Sequence, residues 1–120
     1  MQKLLLLVLA WCGINTVGEV LIKFGARSLS EPASIGDIWR IIWEVAQNPL
    51  IVLGVLFCAA DLLLWIYILK SGDLSVVVPL TAINYIFALV AGYFCFDEVI
   101  SINRLLGIAL ICGGTFFLSR

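Results

Sequence analysis

Apolar residues fall along the chain in four long runs, at 4–24, 49–69, 74–96 and 101–118, separated by polar breaks. A helix needs about 20 such residues to cross the hydrocarbon core of a bilayer. Inside that core every backbone polar group must be satisfied internally, which helices achieve within a single segment. The runs therefore predict four transmembrane helices. The breaks carry their own punctuation. Asn48–Pro49 supplies a cap and a proline at the first helical position of the second run. Asp73 and Ser101 are the corresponding cap candidates for the third and fourth. The connectors "KSGD" and "DEVIS" are so short that successive helices are expected to be antiparallel neighbours.

The first break is longer and has a different pattern. Ile35, Ile38, Trp39, Ile42, Val45 and Ala46 recur at helical spacing, with Asp37, Arg40, Glu44 and Gln47 on the opposite face and Trp43 at the boundary. This period predicts an amphipathic helix over 35–47, too short and too polar to span. Its tryptophans suit the headgroup level. Two readings of it stand side by side: a connector that only packs at the water edge, and a gate beside a substrate path. The expected fold is an all-α membrane protein. It has four transmembrane helices plus a short amphipathic interfacial helix between the first and second, in a single domain over residues 1–120.

Composition supports the membrane reading. The chain is 63% hydrophobic and 12% charged, with a mean hydropathy of +1.17; soluble domains are about 45–50% apolar and about 25% charged. A net charge of −1 offers no basic patch for nucleic acid, and the absence of histidine removes the commonest metal ligand and general base. Cys12, Cys58, Cys95 and Cys112 each lie in a different apolar run and read as small core residues, not as disulfides or a metal site. No nucleophile–base pair, metal cluster or cofactor motif points to an enzyme. The opening "MQKLLLLVLAWCG" reads as a retained first helix, because its apolar run continues past a signal-peptide core without a small-x-small cleavage site. Charge sets orientation weakly. Lys3, Lys70 and Arg120 fall on one side and Lys23, Arg27, Arg40 and Arg104 on the other, a split compatible with dual insertion.

Against this apolar background a few polar residues stand out. Asp61 sits near the middle of the second run, on a face shared with Phe57, Cys58, Trp65 and Ile68. A charge at that depth costs about 2.5–3.5 kcal/mol on insertion scales, so Asp61 should face protein or water. It serves either proton coupling and substrate contact, or packing as an acid hydrogen-bonded across helices. Glu19 and Lys23 are spaced i, i+4 near the end of the first run. They read as a pair at the interface, or else Glu19 faces a cavity while Lys23 meets an anionic headgroup. Asn15 lies on the same stripe as Glu19, and Asn84 lies in the third run; both fit interhelical hydrogen bonds. Pro79 should bend the third helix. In the last run Ala109 and Gly113 form a small-x-x-x-small pair, with Gly107 and Gly114 two turns apart. Such a face lets helices approach closely and is expected to meet another subunit.

The stretch "LSVVVPLTAINYIFALVAGYFCFDEVISINRLLGIALICGGTFFL", with "KFGA" after the first run, resembles four-helix members of the drug/metabolite transporter superfamily, which include the small multidrug resistance proteins. Those exporters carry a glutamate eight residues before the lysine that matches Lys23; here that position is Asn15. The chain is more similar to the paired small subunits that flip undecaprenyl-phosphate aminoarabinose across the bacterial inner membrane. Pro79, Asn84 and Tyr85 echo their third span, Trp65 matches a tryptophan of theirs, and residues 28–48 match their longer first connector. Asp61 is not part of their pattern.

The resemblance implies a dimeric inner-membrane transporter, with itself or a similar subunit, of a lipid-linked or amphipathic anion. Asn15, Glu19, Lys23, Asp61, Trp65, Asn84 and Tyr85 would serve as substrate- or proton-binding residues. Lys23, Arg27 and Arg40 would supply positive charge for a phosphate near one interface. Two other readings remain: a proton-coupled exporter of cationic compounds working through Asp61 or Glu19, and a membrane subunit that only stabilises a partner.

Overall fold

The computed structural model describes residues 1–118 and 120. In chain order the elements are α1 (Gln2–Ala26), a 3-10 turn (Ile35–Asp37), α2 (Ile38–Gln47), α3 (Pro49–Ser71), α4 (Leu74–Leu80), a second 3-10 turn (Thr81–Ile83), α5 (Asn84–Phe96) and α6 (Ile102–Leu118). The described residues are all-helical, with no strand among them. Three stretches are long and apolar enough to cross a membrane: Gln2–Ala26, Pro49–Ser71 and Leu74–Phe96. The fourth apolar helix, α6, has 17 residues. At 1.5 Å per residue it reaches about 26 Å, somewhat short of a hydrocarbon core of about 30 Å.

Local chemistry explains most boundaries. Asn48 accepts hydrogen bonds from the backbone N–H of Leu50 (3.0 Å) and Ile51 (3.3 Å), and Pro49 occupies the first turn of α3. The Asn48 amide also donates to the Gly25 carbonyl (3.0 Å) and to Ser28 Oγ (2.8 Å), tying the end of α1 to the start of α3. Ser101 Oγ accepts from the Arg104 N–H (3.3 Å) at the start of α6. Asp73 precedes α4 in an extended conformation, but its side chain makes no capping bond. Pro79 lacks the N–H that would continue the ladder. The α-helix accordingly gives way to a 3-10 turn within two residues, and the Thr81 hydroxyl donates to the Val78 carbonyl at 2.7 Å.

The core is the seam between α1 and α3. Ile51, Gly54, Asp61 and Ile68 are the buried residues of α3, set along one stripe, and Val8, Cys12, Gly18 and Gly25 are those of α1. Glycines make the approach possible. A Cβ on Gly54 would lie 2.6 Å from Ile22 Cγ1 and 2.9 Å from the Gly18 carbonyl oxygen. Towards the other end of the seam, Val8, Cys12 and Ile68 pack with Val77 and Leu80 of α4. α5 leans on α1.

α6 meets the third apolar run at the N-terminal half of that run. It rests on α4 and the second 3-10 turn, and a groove of about 390 Å³ separates it from α5. None of its described residues is buried, and Gly107, Gly113 and Gly114 have nothing within 4 Å of where a Cβ would stand.

The outer surfaces are apolar, with Leu63, Phe94, Leu110 and Phe117 all at least 70% exposed. On helices of this length such surface is matched by lipid and not by water. α2 leaves Ile35, Ile38, Trp39, Ile42 and Trp43 uncovered, while its polar face is bonded inward. Glu44 accepts from the Ser30 N–H and hydroxyl, Asp37 accepts from the N–H groups of Ala33 and Ser34, and Arg40 lies 3.8 Å from Asp37 and 3.7 Å from Glu44.

Candidate functional site

Polar side chains from three helices meet where α5 begins. Asn15 Nδ2 of α1 donates to Asp61 Oδ2 of α3 at 3.4 Å. Asn84 Nδ2, from the first residue of α5, donates to Asn15 Oδ1 at 3.0 Å. Thr16 Oγ1 donates to Asn84 Oδ1 at 3.4 Å. The Pro79 break matters here, because α5 starts afresh at Asn84 and carries it to the α1–α3 seam. Asp61 is 8% exposed, and its Oδ1 has no hydrogen-bond partner among the described residues. Leaving a buried acceptor unmade is costly, more so for a charged group. The arrangement therefore leaves one carboxylate oxygen buried and unpartnered, while its sister oxygen is held by Asn15. One turn away, the rings of Trp11 and Trp65 pack at 5.1 Å.

Thr16 also lines a cavity of about 250 Å³ between α1 and α5, together with Glu19, Lys23, Gly92, Phe96 and Glu98. Its mouth is cationic and aromatic. Lys23 ion-pairs with Glu98, and its Nζ lies 4.4 Å from the centroid of the Phe96 ring. The Arg27 guanidinium lies 4.9 Å from the same ring, which packs on Phe24 at 4.6 Å. Arg104 of α6 reaches the other oxygen of Glu98 at 3.5 Å. Lys23, by hydrogen bond and by charge, holds the Glu98 carboxyl below its ordinary value, and Arg104 adds to the effect. Glu98 is placed there by the end of α5. Asp97 takes the left-handed conformation (φ 51°), and the Glu98 N–H returns to the Gly92 carbonyl at 3.1 Å.

The structure thus brings together Asn15, Asp61 and Asn84, and sets Glu19 and Lys23 in the adjoining cavity. The expected i, i+4 pair does not form. Lys23 turns to Glu98, while Glu19 has no hydrogen bond or ion pair among the described residues. A partner that restores charge balance and lies under the lysine wins over one on the same helix face. Trp65 belongs to the tryptophan pair beneath Asp61. Tyr85 lies elsewhere, in the groove between α5 and α6 with Arg104 and Gly107. Sequence reading passed over Thr16, Glu98 and Arg104. The signal for Glu98 was an acid in a short hinge six residues after a glycine.

The profile of the EamA-like transporter family matches residues 4–120. The chain is 32% identical over 120 residues to a probable 4-amino-4-deoxy-L-arabinose-phosphoundecaprenol flippase subunit, ArnE, of Pseudomonas fluorescens, covering 99% of this chain and 98% of that protein. It is 31% identical to the like-named protein of Aeromonas salmonicida, over 98% of this chain and 96% of that one. An uncharacterized protein of Sinorhizobium fredii is 30% identical over 90% of this chain and 88% of its own length. No solved structure matches significantly.

Proposed function

We propose a function from one premise: this chain belongs to the EamA-like transporter family. It is a subunit of a flippase that carries the polar head of a polyprenyl-phosphate-linked sugar across the bacterial inner membrane, while the polyprenyl tail stays in lipid. It is a transporter and not an enzyme. Four helices cross the bilayer, α6 being the fourth, and α2 lies along the interface with Ile38, Trp39 and Ile42 in the lipid. A single chain encloses too little, so the working unit pairs it with itself or with a similar subunit. Two open small-residue faces of α6, Gly107 with Gly114 and Ala109 with Gly113, support that pairing.

The observation that carries this reading is the α1–α5 cavity, where Lys23 and Phe96 stand beside Arg27 at the mouth and Thr16, Glu19 and Glu98 also line the wall. Lys23 and Arg27 suit the phosphate. Asn15 and Asn84 suit sugar hydroxyls, and the unpartnered oxygen of Asp61 suits the ammonium of an amino sugar.

The test is flipping of a fluorescent polyprenyl-phosphate amino sugar in proteoliposomes, read by quenching of the outer-leaflet pool. Protein, alone or with a similar second subunit, is expected to expose inner-leaflet substrate to the quencher, and Lys23→Gln to abolish this. No exchange from either assembly would refute the flippase reading. One observation favours a second reading. Glu19 lines the cavity without a partner, as a proton-coupled exporter of cations would require. In that case a pH gradient drives uptake of a lipophilic cation, and Glu19→Gln stops it.

A further inference from the structure

Two cations from opposite elements converge on one carboxylate in the hinge between α5 and α6. Lys23 of α1 takes one oxygen of Glu98, and Arg104 of α6 approaches the other at 3.5 Å. Glu98 is partly exposed, at 35%, and sits on residues 97–101, which belong to no helix. Exposed ion pairs of this kind contribute little to stability. Lys and Arg pair with carboxylate and phosphate oxygens alike, so another anion whose oxygens are spread in the same way competes for them.

The seat of Glu98 is equally specific. Its carboxylate lies over Gly92, where a Cβ would stand 2.9 Å from Oε2, so only glycine admits it without a shift. Glu98 also lines both the cavity between α1 and α5 and the groove between α5 and α6, volumes of about 250 and 390 Å³. It is a lining residue common to both.

We propose that Lys23 and Arg104 form a phosphate-binding site that Glu98 occupies as an internal stand-in, and that an incoming phosphate ester displaces Glu98 and joins the two cavities. The proposal rests on the transport reading for its ligand class, and it adds Arg104 to the residues that meet the substrate. A displaced Glu98 swings out on the hinge, and the phosphate inherits both cations. Arg27, already stacked on Phe96, closes the third side.

The experiment is equilibrium binding to the full chain in a maltoside detergent free of lipid phosphate. Farnesyl phosphate and inorganic phosphate are the two probes. An internal competitor that fills the site about nine-tenths of the time lowers apparent affinity roughly tenfold. Glu98→Gln is therefore expected to tighten farnesyl phosphate binding about tenfold, by that arithmetic. Glu98→Asp keeps the charge but draws it back by one methylene, and gives a smaller gain. Lys23→Gln and Arg104→Gln each weaken binding about tenfold or more, as loss of a charge-assisted contact should.

A preference for farnesyl phosphate marks a lipid-linked source and a preference for inorganic phosphate a free ion; either supports the site. Unchanged or weaker binding in both Glu98 variants, or no binding of either probe by any variant, overturns it. The outcome separates from that of the flipping assay. Tightened binding without flipping keeps the phosphate site and removes the flippase, whereas flipping with unaltered Glu98 variants does the reverse.

Discussion

Replacing Asp61 by asparagine removes one negative charge from a position 8% exposed, on the stripe of α3 that packs against α1. The native side chain accepts a single hydrogen bond, from Asn15 at 3.4 Å, longer than the usual N–H···O range of about 2.7–3.2 Å. Asparagine keeps that bond by placing its carbonyl where Oδ2 stands. Its NH₂ then takes the place of Oδ1, which has no partner in the native chain. Interhelical hydrogen bonds in membranes average about 0.6 kcal/mol. Removing the charge also relieves part of an insertion cost of about 2.5–3.5 kcal/mol. Folded stability is therefore expected to stay within about 1 kcal/mol of the native chain, or to rise.

Function should respond differently. If Asp61 receives a proton or an ammonium group, the amide removes a charge-assisted contact of about 1.5–3 kcal/mol. That is roughly ten- to a hundredfold in apparent affinity or turnover, since about 1.4 kcal/mol is a factor of ten. The paired measurements are thermal unfolding in detergent and transport in proteoliposomes at several pH values. Unchanged melting with lost transport is expected. Normal, pH-independent transport by the variant would refute the reasoning and leave Asp61 as an acid that only holds α1 to α3.

Gly54→Val puts side-chain atoms within reach of Ile22 and of the Gly18 backbone, and should cost about 1–3 kcal/mol or more by overpacking. Thermal unfolding reads this, with Gly13→Ala as a control that meets nothing within 4 Å. Gly113→Leu is expected to weaken dimers in a crosslinking assay while leaving insertion intact; an unaltered crosslinking pattern would count against α6 as the subunit face. Ser30 holds the Glu44 carboxyl below its ordinary value of 4.5 through hydrogen bonds to the carboxylate. That contribution is complete above 4.5 and fades as pH falls through the lower folded value. Protection of the Ser30 amide, measured against the intrinsic exchange rate at each pH, should therefore fall on acidification, and in Glu44→Gln it should not vary with pH over that range.

What the sequence revealed was mostly local. Asn48–Pro49 announced the start of α3 because capping acts within three residues. The period of Ile38, Trp39 and Ile42 announced α2 for the same reason. Pro79 marked the break before Asn84. Asn15, Asp61 and Asn84 were each legible as polar residues in apolar runs, but their meeting was not, since Asn15 and Asp61 are 46 positions apart and Asn15 and Asn84 are 69 apart. Lys23 shows the converse. Spacing offered Glu19 as its partner, and the fold supplied Glu98 from 75 positions away. Glu98 reads from the sequence as a solvated hinge residue. Only the left-handed turn at Asp97, which any sequence pattern conceals in a non-glycine residue, folds it back over Gly92. Tyr85 entered with Asn84 through the resemblance of the third span, yet neighbours on a helix point about 100° apart, and Tyr85 lines the other groove.

The glycine seam between α1 and α3 also orders events in time. Both of its halves have been synthesised once Ser71 is made, whereas α6 still lies ahead. At about 5–20 residues per second, the remaining stretch takes a few seconds. The contacts of α1 with α3 thus need no residue that follows Ser71, whereas those of Val8, Cys12 and Ile68 with Val77 and Leu80 await α4. The helix least engaged with its own chain is therefore also the last to be made. A pause in translation placed after residue 71 would be harmless to the hairpin, and one placed before residue 49 would leave Gly18 and Gly25 facing lipid.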